Sequence, residues 1–459
     1  MNKLTTKQFW MVGLMLFSLF FGAGNLIFPP MLGKMAGTSM YLSMMFFGIT
    51  AIILPILGVV AVAKSDGLNH MGRKVSNWFA TLFTIVIYLS MGPLMGIPRA
   101  GTVPYEIGLS PSVPEEWNTL ALFLFTCLFF AVTYWLSLNP SKIAERVGKY
   151  LSPILLLLMI TLFVCSFFNP MGDYLPPVGK YKENPFTSGF LEGYMTMDAV
   201  GALNFGLVIA MVIHSFQITN KREVMRATIK TGVLAGGLLL FIYLMLAHLG
   251  ATSAALFPET TNGAQLLNLA SNHIFGKFGA YLVAGIFTLA CLTTCVGLIS
   301  SSAQYFASWT KRLGYKGWVT LWTLCSIFIA NIGLDLILTY SVPILSVIYP
   351  VAIVLILLTL ADSLFQGRTI VYKVTVYTTA VISLLFALNE VGLALPFVTQ
   401  AAQKLPFSTM QLGWVLPALL AFGISILFCF IQKGSKKKSF SPCQTEKLKT
   451  TGASKKDNH

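Results

Sequence analysis

From Phe9 to Phe20 the chain runs FWMVGLMLFSLF without a charge, in the first of twelve predominantly apolar stretches. A helix that crosses a bilayer needs about 20 apolar residues. Such stretches fall at about 8–33, 38–63, 76–98, 119–138, 150–168, 189–216, 231–252, 279–308, 317–335, 338–360, 371–390 and 410–432. In lipid only helices and closed barrels satisfy their own backbone, so the pattern predicts an all-α integral membrane protein of twelve spans. Charge agrees: 10% of residues are Asp, Glu, Lys or Arg, against roughly 25% in a soluble domain.

The net charge of +15 does not point to nucleic acid, because the positive residues sit in the gaps between apolar runs. Alternate gaps hold KSDGLNHMGRK, NPSKIAERVGK, NKREVMRATIK, TKRLGYK and GRTIVYK; with Lys3, Lys7 and the tail they carry 25 of the 31 basic residues. The remaining six are Lys34, Arg99, Lys180, Lys182, Lys277 and Lys404. By the positive-inside rule both termini are expected to be cytoplasmic, consistent with an even number of spans. The tail from Lys433 is polar and basic, and is expected to be disordered against the anionic inner leaflet. No loop is long enough for a soluble domain, though FPETTNGAQLLNLASNHIFGK after span seven has room for a short interfacial helix. The boundary between spans nine and ten, at NIGLDLILTY, is the least distinct. The first apolar run exceeds signal-peptide length and has no small-residue cleavage site, so no cleaved leader is expected.

Enzyme motifs are missing: there is no GxxxxGK[ST], HExxH or GxSxG. Six of the seven cysteines (Cys127, Cys165, Cys291, Cys295, Cys325 and Cys429) lie in apolar runs, and Cys443 lies in the tail, so no disulfide framework is expected. Cys291 and Cys295 share a helix face without a nearby His or acid, which favours packing over metal binding. His214 and His248 are the histidines nearest the membrane and read as packing or cavity-lining groups.

Phe21 to Pro30 reads FGAGNLIFPP, which breaks a greasy helix in mid-span. A break strands backbone N–H and C=O groups, and these persist in a membrane only where protein, water or a ligand meets them. The N-terminus of the second half-helix, at Gly22, Ala23, Gly24 and Asn25, would offer N–H groups to a carboxylate; the end of the first half would offer carbonyls to a cation. The alternative is a glycine-rich crossing point. Span six holds a partial echo: Gly201-Ala-Leu-Asn204 resembles Gly22-Ala-Gly-Asn25 five spans earlier. Interrupted segments at matching positions in two halves mark a transporter site. Span six also carries Asp198 within its apolar run, and intramembrane acids are usually functional; a buried acid held by neighbouring hydroxyls is the other reading. Glu192 lies nearer the outer boundary. In span eight, Thr293 and Thr294 with the Ala290 carbonyl form a hard-oxygen patch suited to a small cation. Ser300, Ser301 and Ser302 are equally well read as hydroxyls bonded back to their own helix.

The segments FFGAGNLIFPPMLG, MGPLMGIPRAGTVPYE and GYMTMDAVGAL resemble the signatures of bacterial branched-chain amino acid:cation symporters, and the similarity covers essentially all spans. That resemblance implies a LeuT-type 5+5 inverted repeat with broken helices 1 and 6, plus two further helices. The divisions would be 1–170, 171–362, 363–432 and the tail 433–459. It implies Na+ coupling, with the carbonyls of Ser18, Phe21 and Ala290 and the hydroxyls of Thr293 and Thr294 as ion ligands. It also implies a substrate site at Gly22, Ala23, Gly24 and Asn25, with Tyr194, Thr196 and Asp198 from span six. The expected function is Na+-coupled import of leucine, isoleucine and valine across a bacterial cytoplasmic membrane. No enzymatic activity, bound cofactor, nucleic acid or obligate protein partner is expected. One methylene is worth only ~1–3 kcal/mol, so three branched substrates can share one pocket. Phe28, Tyr88, Val200 and Phe205 are candidate walls. The competing readings are a proton-coupled carrier of another neutral amino acid, with Asp198 carrying the proton, a channel, and a membrane enzyme.

Overall fold

The computed structural model describes residues 3–310, 312–392, 405–408 and 412–438. All regular structure among these residues is helical. In chain order the helices are α1 (Thr6–Phe20), α2 (Ala23–Ala36), α3 (Met40–Gly48), α4 (Leu54–Lys64), α5 (Leu68–Arg73), α6 (Asn77–Leu89) and α7 (Gly96–Gly108). Next come α8 (Glu115–Ser137), α9 (Ser152–Phe168), α10 (Lys180–Glu183), α11 (Pro185–Tyr194), α12 (Asp198–Ser215) and α13 (Lys221–Ser253). The chain continues through α14 (Gly263–Phe275), α15 (Phe278–Trp309), α16 (Tyr315–Ala330), α17 (Leu334–Leu360), α18 (Thr369–Glu390) and α19 (Val415–Lys438). Nine helices among the described residues are long and apolar enough to cross a membrane. That number treats the path from Ala23 to Lys64 as one helix; it omits α1, α11 and α16, which have 15, 10 and 16 residues, and α19, whose apolar part is Val415–Cys429.

Leu128, Leu157, Val233, Phe328 and Leu419 are exposed on the outside of the bundle, where a bilayer would cover them. The core is formed around α1, α2, α12, α13 and α15, whose inward residues are almost fully buried. The backbones of α2 and α13 touch. A Cβ on Gly33 would lie 1.9 Å from the Ala247 carbonyl oxygen, and one on Gly250 would lie 1.9 Å from that of Pro30. Only glycine permits such an approach, so this pair sets where the second half of the broken helix stands.

Helix ends differ from those read in the sequence where polar residues continue a helix beyond its apolar stretch. Helix α13 begins at Lys221 rather than near 231, with Asn220 capping its first turn through the Arg222 amide. Helix α9 is entered through a π-helical stretch, Ala144–Leu151, in which the charged residues face outward. The turn between α16 and α17 is short, and Gly333 at φ 106° starts α17 at Leu334 instead of 338. Helix α19 runs to Lys438, into the segment expected to be a disordered tail; the rest of that tail, with Cys443, and Lys404 lie outside the described residues.

The interfacial helix expected after span seven is α14. The loop leading to it is held by Lys34 at the end of α2. The Lys34 ammonium donates to the carbonyls of Phe257 (2.9 Å), Pro258 (2.8 Å) and Thr260 (2.6 Å) and to the Thr260 hydroxyl (2.8 Å). A buried ammonium needs such compensation, and this arrangement ties α2 to the loop.

Candidate functional site

The first break lies between α1 and α2, at Phe21 and Gly22. Gly22 is extended (φ −105°, ψ −166°), and a Cβ there would lie 3.3 Å from the Thr294 hydroxyl. Gly24 and Asn25 already belong to the first turn of α2. The Gly22 amide is not free for a substrate, because it donates to the Phe20 carbonyl (2.9 Å) and to Asn25 Oδ1 (3.2 Å). The amides of Ala23, Gly24 and Asn25 form the start of α2 and have no intrahelical acceptor. Pro29 and Pro30, later in α2, also deprive the Asn25 and Leu26 carbonyls of helical donors. Helix α2 thus carries unpaired backbone groups at its start and one turn beyond.

The second break occupies Met195 to Met197, between α11 and α12, with Met197 in the left-handed region at φ 57°. It falls before Asp198, so the Gly201–Asn204 echo continues inside α12 and does not mark the interruption. Thr196 lies in the break and donates to the Gly193 carbonyl at 2.8 Å. Tyr194 ends α11, is buried, and meets Tyr349 edge-on with centroids 4.4 Å apart. Asp198 opens α12, where a carboxylate complements the positive helix end.

Asn25 joins the two breaks. Its side-chain amide donates to Asp198 Oδ2 at 2.6 Å and to the Tyr243 hydroxyl on α13, while its oxygen accepts from Gly22. Both N–H donors and the oxygen of a buried side chain are thus engaged, across α2, α12 and α13. Tyr243, fully buried in the apolar run LLLFIYLML, offered no sequence signal for this role.

The expected ion ligands are largely brought together where α15 meets the end of α1. Thr293 donates to the carbonyls of Ser18 (2.9 Å) and Ala290 (3.0 Å); Thr294 donates to those of Leu19 (3.1 Å) and Ala290 (3.1 Å). Ser18, Ala290, Thr293 and Thr294 therefore share one corner. Phe21 is not hydrogen-bonded into it, and Leu19, not singled out in the sequence, is. The Ser18 hydroxyl donates to Ser152 Oγ at 2.7 Å, which bonds onward to the Leu14 carbonyl at 3.0 Å and ties α9 to the same corner. Among the neighbouring serines, Ser301 bonds back to Leu298 and Ser302 crosses to the Tyr88 carbonyl at 3.1 Å.

A cavity of about 380 Å3 opens at the basic end of the bundle, between residues 66–73 and helices α6, α12 and α15. Tyr88 and Tyr305 line it, stacked with centroids 4.6 Å apart and planes 12° from parallel. Of the other candidate walls, Val200 and Phe205 are buried and Phe28 is half-buried. Phe205 meets Phe20 edge-on at the first break. His248 packs among Phe163, Phe167 and Tyr174 and hydrogen-bonds the Tyr174 hydroxyl at 2.6 Å, as a packing group would. Glu192 is partly covered and pairs with Lys180 at 2.6 Å.

Two interrupted membrane helices that meet at their breaks, with a hydroxyl pair from a third helix on the carbonyls of the first, define a broken-helix transporter. Solved structures of transporters share this fold. MhsT, crystallised with L-phenylalanine, aligns with a TM-score of 0.54 at 16% identity over 94% of this chain and 99% of its own. Mhp1, a nucleobase-cation-symport-1 family transporter, aligns at 0.53 and 12% identity over 95% and 94%. The all-helical architecture is therefore LeuT-type.

The chain belongs to the family described as branched-chain amino acid transport protein, whose model matches residues 5–432. This is a family of transport proteins, not of enzymes. The branched-chain amino acid permease BraB of Bacillus subtilis is 42% identical over 94% of this chain and 97% of its own length. The branched-chain amino acid transport system 2 carrier protein of Pseudomonas aeruginosa is 37% identical over 91% and 94%.

Proposed function

We propose that this chain imports leucine, isoleucine and valine by Na+-coupled symport with alternating access. The single observation that carries the reading is the junction of the two breaks through Asn25 and Asp198, beside the oxygen corner of Ser18, Ala290, Thr293 and Thr294. Family membership and the printed functions of the relatives supply the substrate class. The corner's ligands are neutral oxygens, which suit a monovalent ion, since a divalent one ordinarily takes carboxylates. An ion there would replace the threonine–carbonyl hydrogen bonds with coordination and would hold α1 on α15 while substrate occupies the break. Binding of ion and substrate would then be reciprocal. The substrate site would comprise the amides of Ala23 and Gly24, with Gly22, Asn25, Tyr194, Thr196 and Asp198 around them.

In this reading α1 and α2 together make the first span, and α3–α4 the second. Helices α11 and α12 make the sixth, and α16 the ninth, for twelve spans with two inverted five-helix units and two further helices. The basic end faces the cytoplasm of a bacterium, with both termini on that side and the basic residues against anionic lipid. The test is leucine uptake into proteoliposomes with a Na+ gradient and with Na+ replaced by choline. Uptake only with Na+ supports the symport. Uptake driven by a pH gradient alone would move the coupling to a proton, with Asp198 as its carrier. Leucine efflux without counterflow exchange would make the protein a pore.

A further inference from the structure

We propose that the guanidinium of Arg99 anchors the carboxylate of the transported amino acid at the first helix break. This rests on reading the chain as a branched-chain amino acid carrier. Arg99 lies in the first turn of α7, where its own amide bonds to the Met95 carbonyl at 3.0 Å. Its depth follows from the register of α7 against the antiparallel α15. Cys295 Sγ lies 3.7 Å from the Ile97 carbonyl oxygen, and Gly108, eleven residues on, packs against Ala284, eleven residues back. Arg99 is therefore level with Thr293, beside the corner where Thr294 faces Gly22. Cys291 and Cys295 lie one turn apart on the face of α15 that meets α7, so Arg99 stands beside that face.

An arginine at this depth is costly unless it meets an acceptor. Among the described residues its side chain makes no hydrogen bond or ion pair, whereas the buried ammonium of Lys34 is compensated by four oxygens. It is half-buried, so it faces accessible space and is not sealed in the packing. A planar fork of donors, left without an acceptor next to the start of a broken helix, matches a carboxylate in shape and charge. Asp198 at the second break is then left for the ammonium, so the two ends of the zwitterion have separate anchors. The branched side chain, which distinguishes one substrate from another, contacts neither.

The experiment compares leucine with leucine amide, which keeps the side chain and ammonium and loses the anion. Ligand-induced thermal stabilisation is titrated for the purified protein and for Arg99→Gln and Arg99→Lys in saturating Na+. The wild type should prefer leucine by about 30-fold or more. Arg99→Gln should lose that preference, chiefly through weaker leucine binding, and Arg99→Lys should restore part of it. A structural role would instead weaken both ligands by the same factor, and that result overturns the proposal. Should the variants fail to fold, the wild type alone decides the question. Phenylglyoxal labelling of Arg99, read by peptide mass spectrometry, should be blocked by saturating leucine and not by leucine amide. Equal labelling with and without leucine overturns the proposal. A wild type that binds no branched-chain amino acid at all brings down the carrier reading itself, a separate outcome.

Discussion

Replacing Asn25 by alanine should cost the substrate-binding arrangement about 3 kcal/mol. The side chain holds the Gly22 amide, the Tyr243 hydroxyl and the Asp198 carboxylate at once. A neutral hydrogen bond is worth about 1 kcal/mol net, and one to a charged group about 1.5–3 kcal/mol. Asp198 is half-buried and would recover part of its loss from water, whereas Tyr243 is fully buried and would not. That balance corresponds to a rise of about 100-fold in half-saturating leucine. The assay is uptake into proteoliposomes at neutral pH, normalised to monodisperse protein. Asn25→Asp is the informative companion, because it would set two carboxylates at the position of the present 2.6 Å contact. Such a pair keeps one proton, so uptake by Asn25→Asp should recover as pH falls while the wild type changes little. An Asn25→Ala protein with half-saturating leucine within about threefold of wild type, or about 0.7 kcal/mol, would refute the junction as the element that holds the two breaks together.

Other perturbations separate the parts of the site. Gly22→Ala should raise the Na+ concentration for half-maximal uptake, since its Cβ would lie 3.3 Å from the Thr294 hydroxyl while the backbone itself tolerates alanine; a Na+ titration of uptake checks this. Thr293→Ala and Thr294→Ala should do the same, with the effect on leucine affinity shrinking as Na+ saturates. Wild-type Na+ dependence in both would place the ion elsewhere. Lys34→Met should leave the helices folded and release the loop at 257–260, read as at least about tenfold faster amide exchange there, because the bonds of a buried ammonium to that loop are lost.

The helices were legible because apolar length is a direct physical requirement of a bilayer, and the first break because glycine, asparagine and paired proline are all poor helix residues in one place. The second break was displaced. Its echo, Gly201–Asn204, suits a helix packed closely against neighbours, and the interruption itself is made by Met195, Thr196 and Met197, which carry no breaker signal. The oxygen corner is legible through its hydroxyls, but backbone carbonyls have no sequence identity, so nothing marks Leu19 beside Ser18. The apolar run ending near 98 leaves Arg99 just outside span three for a local reason. Gly92, Pro93, Gly96 and Pro98 make span three look finished at 98, yet only residues 90–95 depart from regular α-helix, including non-helical Gly92. Pro98 then sits in the first turn of α7, where its missing N–H has no consequence, and the helix continues to Gly108. Tyr243 was invisible because nothing in a row of leucines says which residue points inward.

The most direct measurement reverses the coupling. Purified protein in tight proteoliposomes is given an inward leucine gradient, with equal Na+ on both sides, and radioactive sodium uptake is followed with the membrane potential clamped. If ion and branched-chain substrate share one alternating-access cycle through the two broken helices, leucine should drive sodium inward against no gradient of its own. Isoleucine and valine should do the same, and Thr294→Ala should require more Na+ to show it. Leucine entering at wild-type rate without any accompanying sodium would contradict the account.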